Sequence, residues 1–122
     1  MAYNHPPLVA DATVNLIVGT ATVNAVAAPG ANKRIRVVGC HIGINRSGGA
    51  ALIDAGIRSG TGLITVARGH GLSTGGTSIA DLTIPEPGVP IAVNEALQLF
   101  ATSTAATGAV VAIVYYYVDD IT

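Results

Sequence analysis

The stretch AVVAIVYYYVDD, residues 109–120, has an apolar or aromatic side chain at every position before its two closing aspartates. A helix that spans a membrane needs about 20 consecutive apolar residues, so this run is too short to be one. Its β-branched residues and the preceding Gly108 predict a buried strand. Successive side chains of a strand point to opposite faces, so both faces of this strand are apolar. One face can fill a core, and the other needs a second cover.

Short runs rich in Val, Ile and Thr continue towards the N-terminus, separated by Gly and Pro. In residues 34–45, RIRVVGCHIGIN, the apolar phase changes by one residue after Val38, which is what a β-bulge produces. The glycines of this run could instead mark close packing against another layer. Residues 94–101 contain good helix formers, but the alternation around Gln98 favours a strand. The strands that we predict cover residues 13–18, 20–26, 34–45, 51–58, 63–67, 78–84, 91–93, 96–102 and 109–118, with glycine-rich loops at 45–49 and 68–77 and a proline-rich corner at 85–90.

About eight or nine short strands at a spacing of 8–12 residues, without a convincing helix, predict an all-β sandwich or barrel. We expect one domain over residues 13–122. Residues 1–12, with the pair Pro6 and Pro7, are predicted to form an extended N-terminal arm that is either disordered or laid along a neighbour.

The composition indicates a protein that is buried against other chains. Only 11% of the residues are charged, against roughly 25% in an average soluble domain, while 50% are hydrophobic. The net charge of −1 offers no basic field for nucleic acid or an anionic membrane, so neither partner is expected. Cys40 is the only cysteine, which excludes an internal disulfide and fits a reducing cytoplasm with a buried structural thiol.

The motifs that could carry chemistry are weak, and we expect no enzyme, no cofactor and no metal site. YVDD, residues 117–120, matches the paired carboxylates of reverse transcriptases, but the chain lacks the length and the following strand of that site. The simpler interpretation is that Asp119 and Asp120 end a strand in solvent. The isolated His5, His41 and His70 lack the paired-histidine spacing of a cupin metal site, and His41 is expected to be a hydrogen-bonded structural residue.

Two segments together resemble a known class of protein. KRIRVVGCHIGINRSGGAALIDAGIRSGTGLI, residues 33–64, is followed by a glycine-rich loop and then by IPEPGVPIAVNEALQLFATSTAATGAVVAIVYYYVDD, residues 84–120. The order of these features is similar to that of the small jelly-roll proteins that decorate or cement the capsids of tailed bacteriophages, with related modules in head fibres and tails. The resemblance covers roughly residues 33–120 and includes no catalytic signature.

The resemblance implies a jelly-roll-like β-sandwich of about eight strands that forms a homotrimer on the major capsid protein lattice and stabilises the head. It places the protein on the capsid surface of a virion assembled in the bacterial cytoplasm, and it implies no small-molecule ligand. The alternative is a module of a head fibre or tail that binds a host receptor or glycan. The chain has no Trp, one Phe and four Tyr, and so few aromatic rings make a platform that stacks on sugars less suitable.

The second face of the last strand is the candidate site. Tyr is favoured where one end of a side chain is buried and the other needs a hydrogen bond, as at subunit contacts. We therefore predict that this face lies at a homo-oligomer axis or on the major capsid protein, with a cover from the same subunit as the alternative. The candidate interface residues are Val114, Tyr115, Tyr116, Tyr117, Pro6 and Pro7.

Overall fold

Nine strands make up the regular structure of the described residues. A computed structural model of the chain describes residues 10–17, 22–48, 53–62, 64–71, 75–85, 87–102 and 107–121. The predicted all-β class is therefore confirmed. In chain order the strands are β1 (Ala10–Ile17), β2 (Thr22–Val26), β3 (Lys33–Gly48), β4 (Ile53–Ser59), β5 (Thr65–Gly71), β6 (Gly75–Thr83), β7 (Val89–Pro90), β8 (Leu97–Thr102) and β9 (Thr107–Asp120).

The strands form two antiparallel sheets. The first sheet has the order β1-β9-β3-β6, with the short β7 paired to β3, and the second sheet has the order β2-β8-β4-β5. Apart from β7, the first long strand pairs with the last, the second with the next to last, the third with the sixth and the fourth with the fifth. This nested pairing across two sheets is the jelly roll, so the predicted β-sandwich is confirmed together with its topology.

Strand β9 lies inside the first sheet, hydrogen-bonded to β1 on one side and to β3 on the other. Its even-numbered residues Val110, Ala112 and Val114 are fully buried and face the second sheet. The opposite parity therefore points away from the core. The core therefore explains why one of the two faces of β9 is apolar.

The bulge predicted at Val38 is confirmed. Val37 pairs with Tyr116 and Gly39 with Tyr115, so one residue of β3 has no counterpart in β9. The extra residue changes the phase of β3, which lets Val37 before it and Cys40 after it both point into the core.

Aliphatic side chains of both sheets fill the space between them. Cys40 belongs to this core, and burial raises the pKa of its thiol, with a smaller contribution from the nearby Asp81 carboxylate. The predicted buried structural thiol is therefore confirmed. The core consists of Ile35, Val37, Cys40, Ile42, Ile44, Ile53, Ala55, Ile57, Ala67, Ile91, Leu97, Leu99, Ala101, Val110, Ala112 and Val114.

Several strands run further than predicted, because pairing with a neighbouring strand decides where a strand ends, and in β3, β5 and β6 it outweighs the weak strand preference of glycine. Strand β3 continues to Gly48 opposite β9, so the loop predicted at 45–49 is wrong over most of its length. Strand β5 extends to Gly71 and β6 begins at Gly75, which replaces most of the loop predicted at 68–77. Strand β1 begins at Ala10, so residues 10–12 belong to the sheet and not to the predicted arm.

The region before β8 also differs from its prediction. The strand expected at residues 91–93 is replaced by the short β7 and a turn at Val93 and Asn94, where Asn94 has a positive φ of 54°. The segment stays beside β3 because the amides of Ile91 and Asn94 donate to the carbonyls of Ile35 and Lys33. Strand β8 confirms that the later part of residues 94–101 is extended and not helical.

Candidate functional site

The candidate site is the outer face of the first sheet, the face that points away from the core. It is centred on the odd-numbered residues Val111, Ile113 and Tyr115 of β9. Val111 is 39% exposed and Tyr115 is 43% exposed, while Ile113 is half-buried. The centre of this sheet therefore presents apolar side chains to solvent, which makes it the candidate for a binding surface.

The neighbouring strands surround these residues with small and polar side chains. On β1, the exposed Asp11 and Thr13 lie opposite Tyr115 and Ile113. On β3, Gly39 and His41 lie opposite the same two residues. The outer face therefore has an apolar centre with polar groups along its sides.

Gly39 leaves room for the ring of Tyr115. A Cβ atom added at position 39 would lie 3.5 Å from Cδ2 of Tyr115 and 3.0 Å from the carbonyl oxygen of Leu82. The ring therefore packs against a residue without a side chain, and Gly39 itself is buried.

His41 is not the hydrogen-bonded structural residue that we expected. Its side chain is exposed on the outer face, and its Nδ1 lies 3.8 Å from Oδ1 of Asp81 on the edge strand β6. That distance is longer than a hydrogen bond, although it allows an ion pair when the imidazole is protonated. The bulge turns His41 outward as the sequence pattern predicts, and Asp81 opposite it lies beyond hydrogen-bond distance.

The predicted interface residues of β9 differ in how far they are exposed. Val114 is fully buried in the core, so it offers no surface to a partner, and its prediction as an interface residue is corrected. Tyr116 is half-buried and packs against the core. Tyr117 faces outward but is only 9% exposed, and its hydroxyl donates to the carbonyl oxygen of Pro87 at 2.8 Å. Tyr115 alone of the three tyrosines presents an exposed side chain.

The predicted interface residues Pro6 and Pro7 lie outside the described residues.

A cluster of charges closes one end of the first sheet. Asp119 accepts hydrogen bonds from Nε of Arg36 at 2.7 Å and from Nε of Arg34 at 3.3 Å. These bonds, first of all the one from Arg36, hold the pKa of Asp119 below its ordinary value. Lys33 pairs with Asp120 at 3.7 Å. The two aspartates of YVDD thus neutralise the basic start of β3, which is a structural role for both.

The described residues contain no group of three or more His, Cys, Asp or Glu side chains placed to hold a metal ion.

The outer face of the second sheet is organised differently. It carries Phe100, which is only 7% exposed. The guanidinium carbon of Arg58 lies 4.7 Å from the centroid of this ring, and that of Arg68 lies 6.0 Å away. Arg68 is held in turn by two hydrogen bonds to the carboxylate of Asp54, which raise the pKa of the guanidinium. The second sheet therefore covers its own outward-facing aromatic residue.

Parts of both outer faces could not be predicted from the sequence. The parity of Val111 and Ile113 was visible in the sequence, but the polar surroundings at Asp11 and Asp81 depend on which strands are neighbours. The contact between Arg58 and Phe100 likewise requires the pairing of β4 with β8. No short-range pattern in the sequence contains that information.

The comparisons with known proteins add little to this description. No protein-family model matches the chain, and no curated protein matches it in sequence. Among solved structures, a chain from the structure of the infectious bursal disease virus Gx strain is similar over 94% of this chain and 34% of its own length, with 13% sequence identity and a TM-score of 0.28. This chain thus spans about a third of that one, and a likeness at this level supports no conclusion about function. In the described part of the chain, no helix is long and apolar enough to cross a bilayer.

Proposed function

We propose that this chain is a virion structural protein, a capsid decoration or cement protein that binds the major capsid protein lattice as a homotrimer. The observation that carries the proposal is the open apolar centre of the outer face of the first sheet, at Val111 and Tyr115. The resemblance of residues 33–120 to jelly-roll decoration proteins supports the same conclusion.

The energetics of the outer face favour a bound partner. Burying apolar surface contributes about 25 cal/mol per Å², so covering a few such side chains stabilises a contact by several kcal/mol. Stable interfaces bury about 800 Å² on each partner, so the contact would extend beyond Val111 and Tyr115 to the polar sides of the face. With so few charged residues in the chain, little electrostatic repulsion opposes a contact between identical copies.

Stabilisation of a capsid follows from mass action. A protein that binds only the assembled shell lowers the free energy of that shell relative to its free subunits. A trimer offers three copies of each contact at once, so weak contacts with the major capsid protein add up by avidity. This function places the protein on the capsid surface and requires a rigid binding surface rather than a catalytic group.

Binding to phage heads tests the proposal. Heads purified from a strain that lacks this gene are mixed with the purified protein and sedimented. We expect the protein to sediment with the heads at a fixed ratio to the major capsid protein and to raise the temperature at which the heads open. Saturable binding by the unmodified chain and none by Tyr115→Glu would support the proposal, with Thr102→Glu on the second sheet as the control. Absence of binding to heads at micromolar concentration would overturn it.

A second function is favoured by one observation, the exposed ring of Tyr115 beside the carboxylate of Asp11. An exposed aromatic ring with a neighbouring acid can stack on a sugar and accept hydrogen bonds from its hydroxyl groups. On this alternative the chain is a receptor- or glycan-binding module of a head fibre or tail. Binding to immobilised glycans that Tyr115→Ala abolishes, without any affinity for heads, would support this function over the first.

A further inference from the structure

The outer face of the second sheet holds a positive charge that no acid of the described residues neutralises. The side chain of Arg58 forms no ion pair and donates no hydrogen bond within the described part of the chain. Every other lysine or arginine side chain that the structure describes pairs with a carboxylate, namely Lys33, Arg34, Arg36 and Arg68. We propose that Arg58 binds a carboxylate group of an acidic polysaccharide that lies across this face.

Phe100 and the turn at Gly62 hold the guanidinium of Arg58 in place. Its central carbon lies 4.7 Å from the centroid of the Phe100 ring. A Cβ atom added at Gly62 would lie 3.9 Å from Cζ, Nε and Nη1 of Arg58. Nε is buried and has no hydrogen-bond partner among the described residues. Packing therefore orders this group in advance of binding, which lowers the entropy that a ligand must overcome.

Two acids of the same part of the molecule are bound to other groups. The carboxylate of Asp54 accepts two hydrogen bonds from Arg68, so these two charges neutralise each other. Glu95 accepts a hydrogen bond from the amide of Thr61, and it forms no ion pair with Arg58 among the residues that the structure describes. Arg58 therefore supplies one unpaired positive charge. A single carboxylate balances this charge and matches the planar fork of a guanidinium.

Arg58 belongs to a row of polar side chains that crosses the second sheet. Gln98 of β8 lies opposite Arg58, and Asn24 of β2 lies opposite Gln98. On the other side of Arg58, the exposed Thr65 of β5 completes the row. Four strands at a spacing of about 4.8 Å make this row about 14 Å long. Nε2 of Gln98 donates to Oδ1 of Asn24 at 3.2 Å, so the row offers a ligand the oxygen of Gln98 and the amino group of Asn24.

The chemistry of this face favours a polysaccharide over a protein partner. Among the described residues, none of the exposed large apolar side chains lies on β2, β4, β5 or β8. The centre of a protein interface is usually apolar, and this face has no such centre. Its amide and hydroxyl groups are instead suited to the hydroxyl groups of sugars. Because this face is separate from the one that carries Tyr115, the inference does not depend on the proposed function.

Binding of oligogalacturonate to the purified protein tests the inference. This probe carries one carboxylate on each sugar residue, and its methyl ester is the matched probe without charge. Isothermal titration calorimetry at low ionic strength measures both. We expect saturable binding of oligogalacturonate that added salt weakens, and no binding of the methyl ester.

Variants of the row identify the residues that bind the probe. Arg58→Gln should raise the dissociation constant at least about tenfold. Arg58→Lys should raise it less, because an ammonium group keeps the charge and loses the fork. Asn24→Ala should raise it as well, and it leaves the cover over Phe100 unchanged. Arg34→Gln is the control, because it removes an arginine of the first sheet. The thermal unfolding transition of each variant verifies that it is folded.

Each of the other outcomes overturns the inference. No binding of oligogalacturonate would do so whatever the result with phage heads, and so would equal binding by folded Arg58→Gln. Tighter binding of a poly-glutamate peptide than of oligogalacturonate would show that the face takes an acidic protein. Tighter binding of polyphosphate would show that it takes phosphate groups. Since the binding to heads is tested at Tyr115, the proposed function and this inference can fail separately.

Discussion

The two outer faces of this jelly roll treat their apolar side chains in opposite ways. On the second sheet, Phe100 is 7% exposed because Arg58 and Arg68 lie across its ring. On the first sheet, Tyr115 is 43% exposed, and Val111 beside it is open as well. The chain therefore covers Phe100 on the second sheet and Tyr117 on the first, but it leaves the ring of Tyr115 open. This contrast supports the proposal that another molecule covers the centre of the first sheet.

The difference lies in a diagonal neighbour and not in the residues directly opposite the two rings. Strand β4 places Arg58 beside Phe100, and an arginine over an aromatic ring contributes about 0.5–2 kcal/mol. Directly opposite, both rings have short neighbours, which are Gly56 and Thr22 for Phe100 and Gly39 and Asp11 for Tyr115. The diagonal neighbour of Tyr115 on β3 is His41, which lies beside Asp81. The second sheet thus covers its ring from within, whereas the ring of Tyr115 stays open.

The largest effect should come from the glycine beneath Phe100. A Cβ at Gly56 would lie 2.3 Å from the carbonyl oxygen of Ala67 and 2.8 Å from the ring of Phe100, so neither neighbour can avoid it. We expect Gly56→Ala to lower the free energy of unfolding by about 3 kcal/mol. The matched variant Gly39→Ala, with its closest contact at 3.0 Å, should cost about 1 kcal/mol or less. Urea unfolding measures both, and equal losses would contradict the asymmetry between the faces.

Removing the two aromatic side chains should give opposite results in stability and association. Phe100→Ala should lower the free energy of unfolding by about 2 kcal/mol, because a covered ring and its cation–π contacts are lost. Tyr115→Ala should change it by about 0.5 kcal/mol in dilute solution, where no partner covers the ring. Unfolding at several protein concentrations measures both, since association adds a dependence on concentration. A loss from Tyr115→Ala as large as that from Phe100→Ala would show that its own subunit holds this ring.

A smaller effect concerns the charged end of the first sheet. The pKa of Asp119 is lowered in the fold by Arg36 and Arg34, so the stabilisation is complete above the ordinary pKa of about 3.9 and is lost as the pH falls through the folded value. Asp119→Asn should therefore lower the urea midpoint at pH 7 and approach the unmodified chain as the pH falls below the lowered pKa of Asp119. Asp120→Asn is the control, because Asp120 is 73% exposed and should change the midpoint less at every pH. A difference that does not depend on pH would rule out this account of Asp119.

The sequence predicted the features that depend on local alternation. The all-β class, the bulge at Val38 and the two apolar faces of β9 all follow from the period of two in a strand. The exposure of the individual tyrosines did not follow, because Tyr117 is covered by Pro87, which is 30 residues away in the sequence. The assignment of Val114 to the interface was wrong for a different reason. The alternation of side chains separates the two faces of a strand, but it does not show which face meets the core.

Strand ends and the second outer face were also beyond prediction. Gly48 and Gly71 extend their strands because a neighbouring strand offers hydrogen bonds, and the neighbours are known only from the topology. The cover over Phe100 requires the register of β4 against β8, which the spacing of residues does not encode. Tertiary context therefore decided the boundaries and the partners, while the sequence pattern decided the class.

The mass of the protein in solution tests the central claim most directly. Sedimentation of the unmodified chain and of Tyr115→Glu over a range of concentrations reports whether the outer face of the first sheet is an interface between copies. We predict a trimer for the unmodified chain and a folded monomer for Tyr115→Glu, with Thr102→Glu remaining a trimer. A monomer for the unmodified chain at every concentration, or a trimer that Tyr115→Glu leaves intact, would contradict the claim.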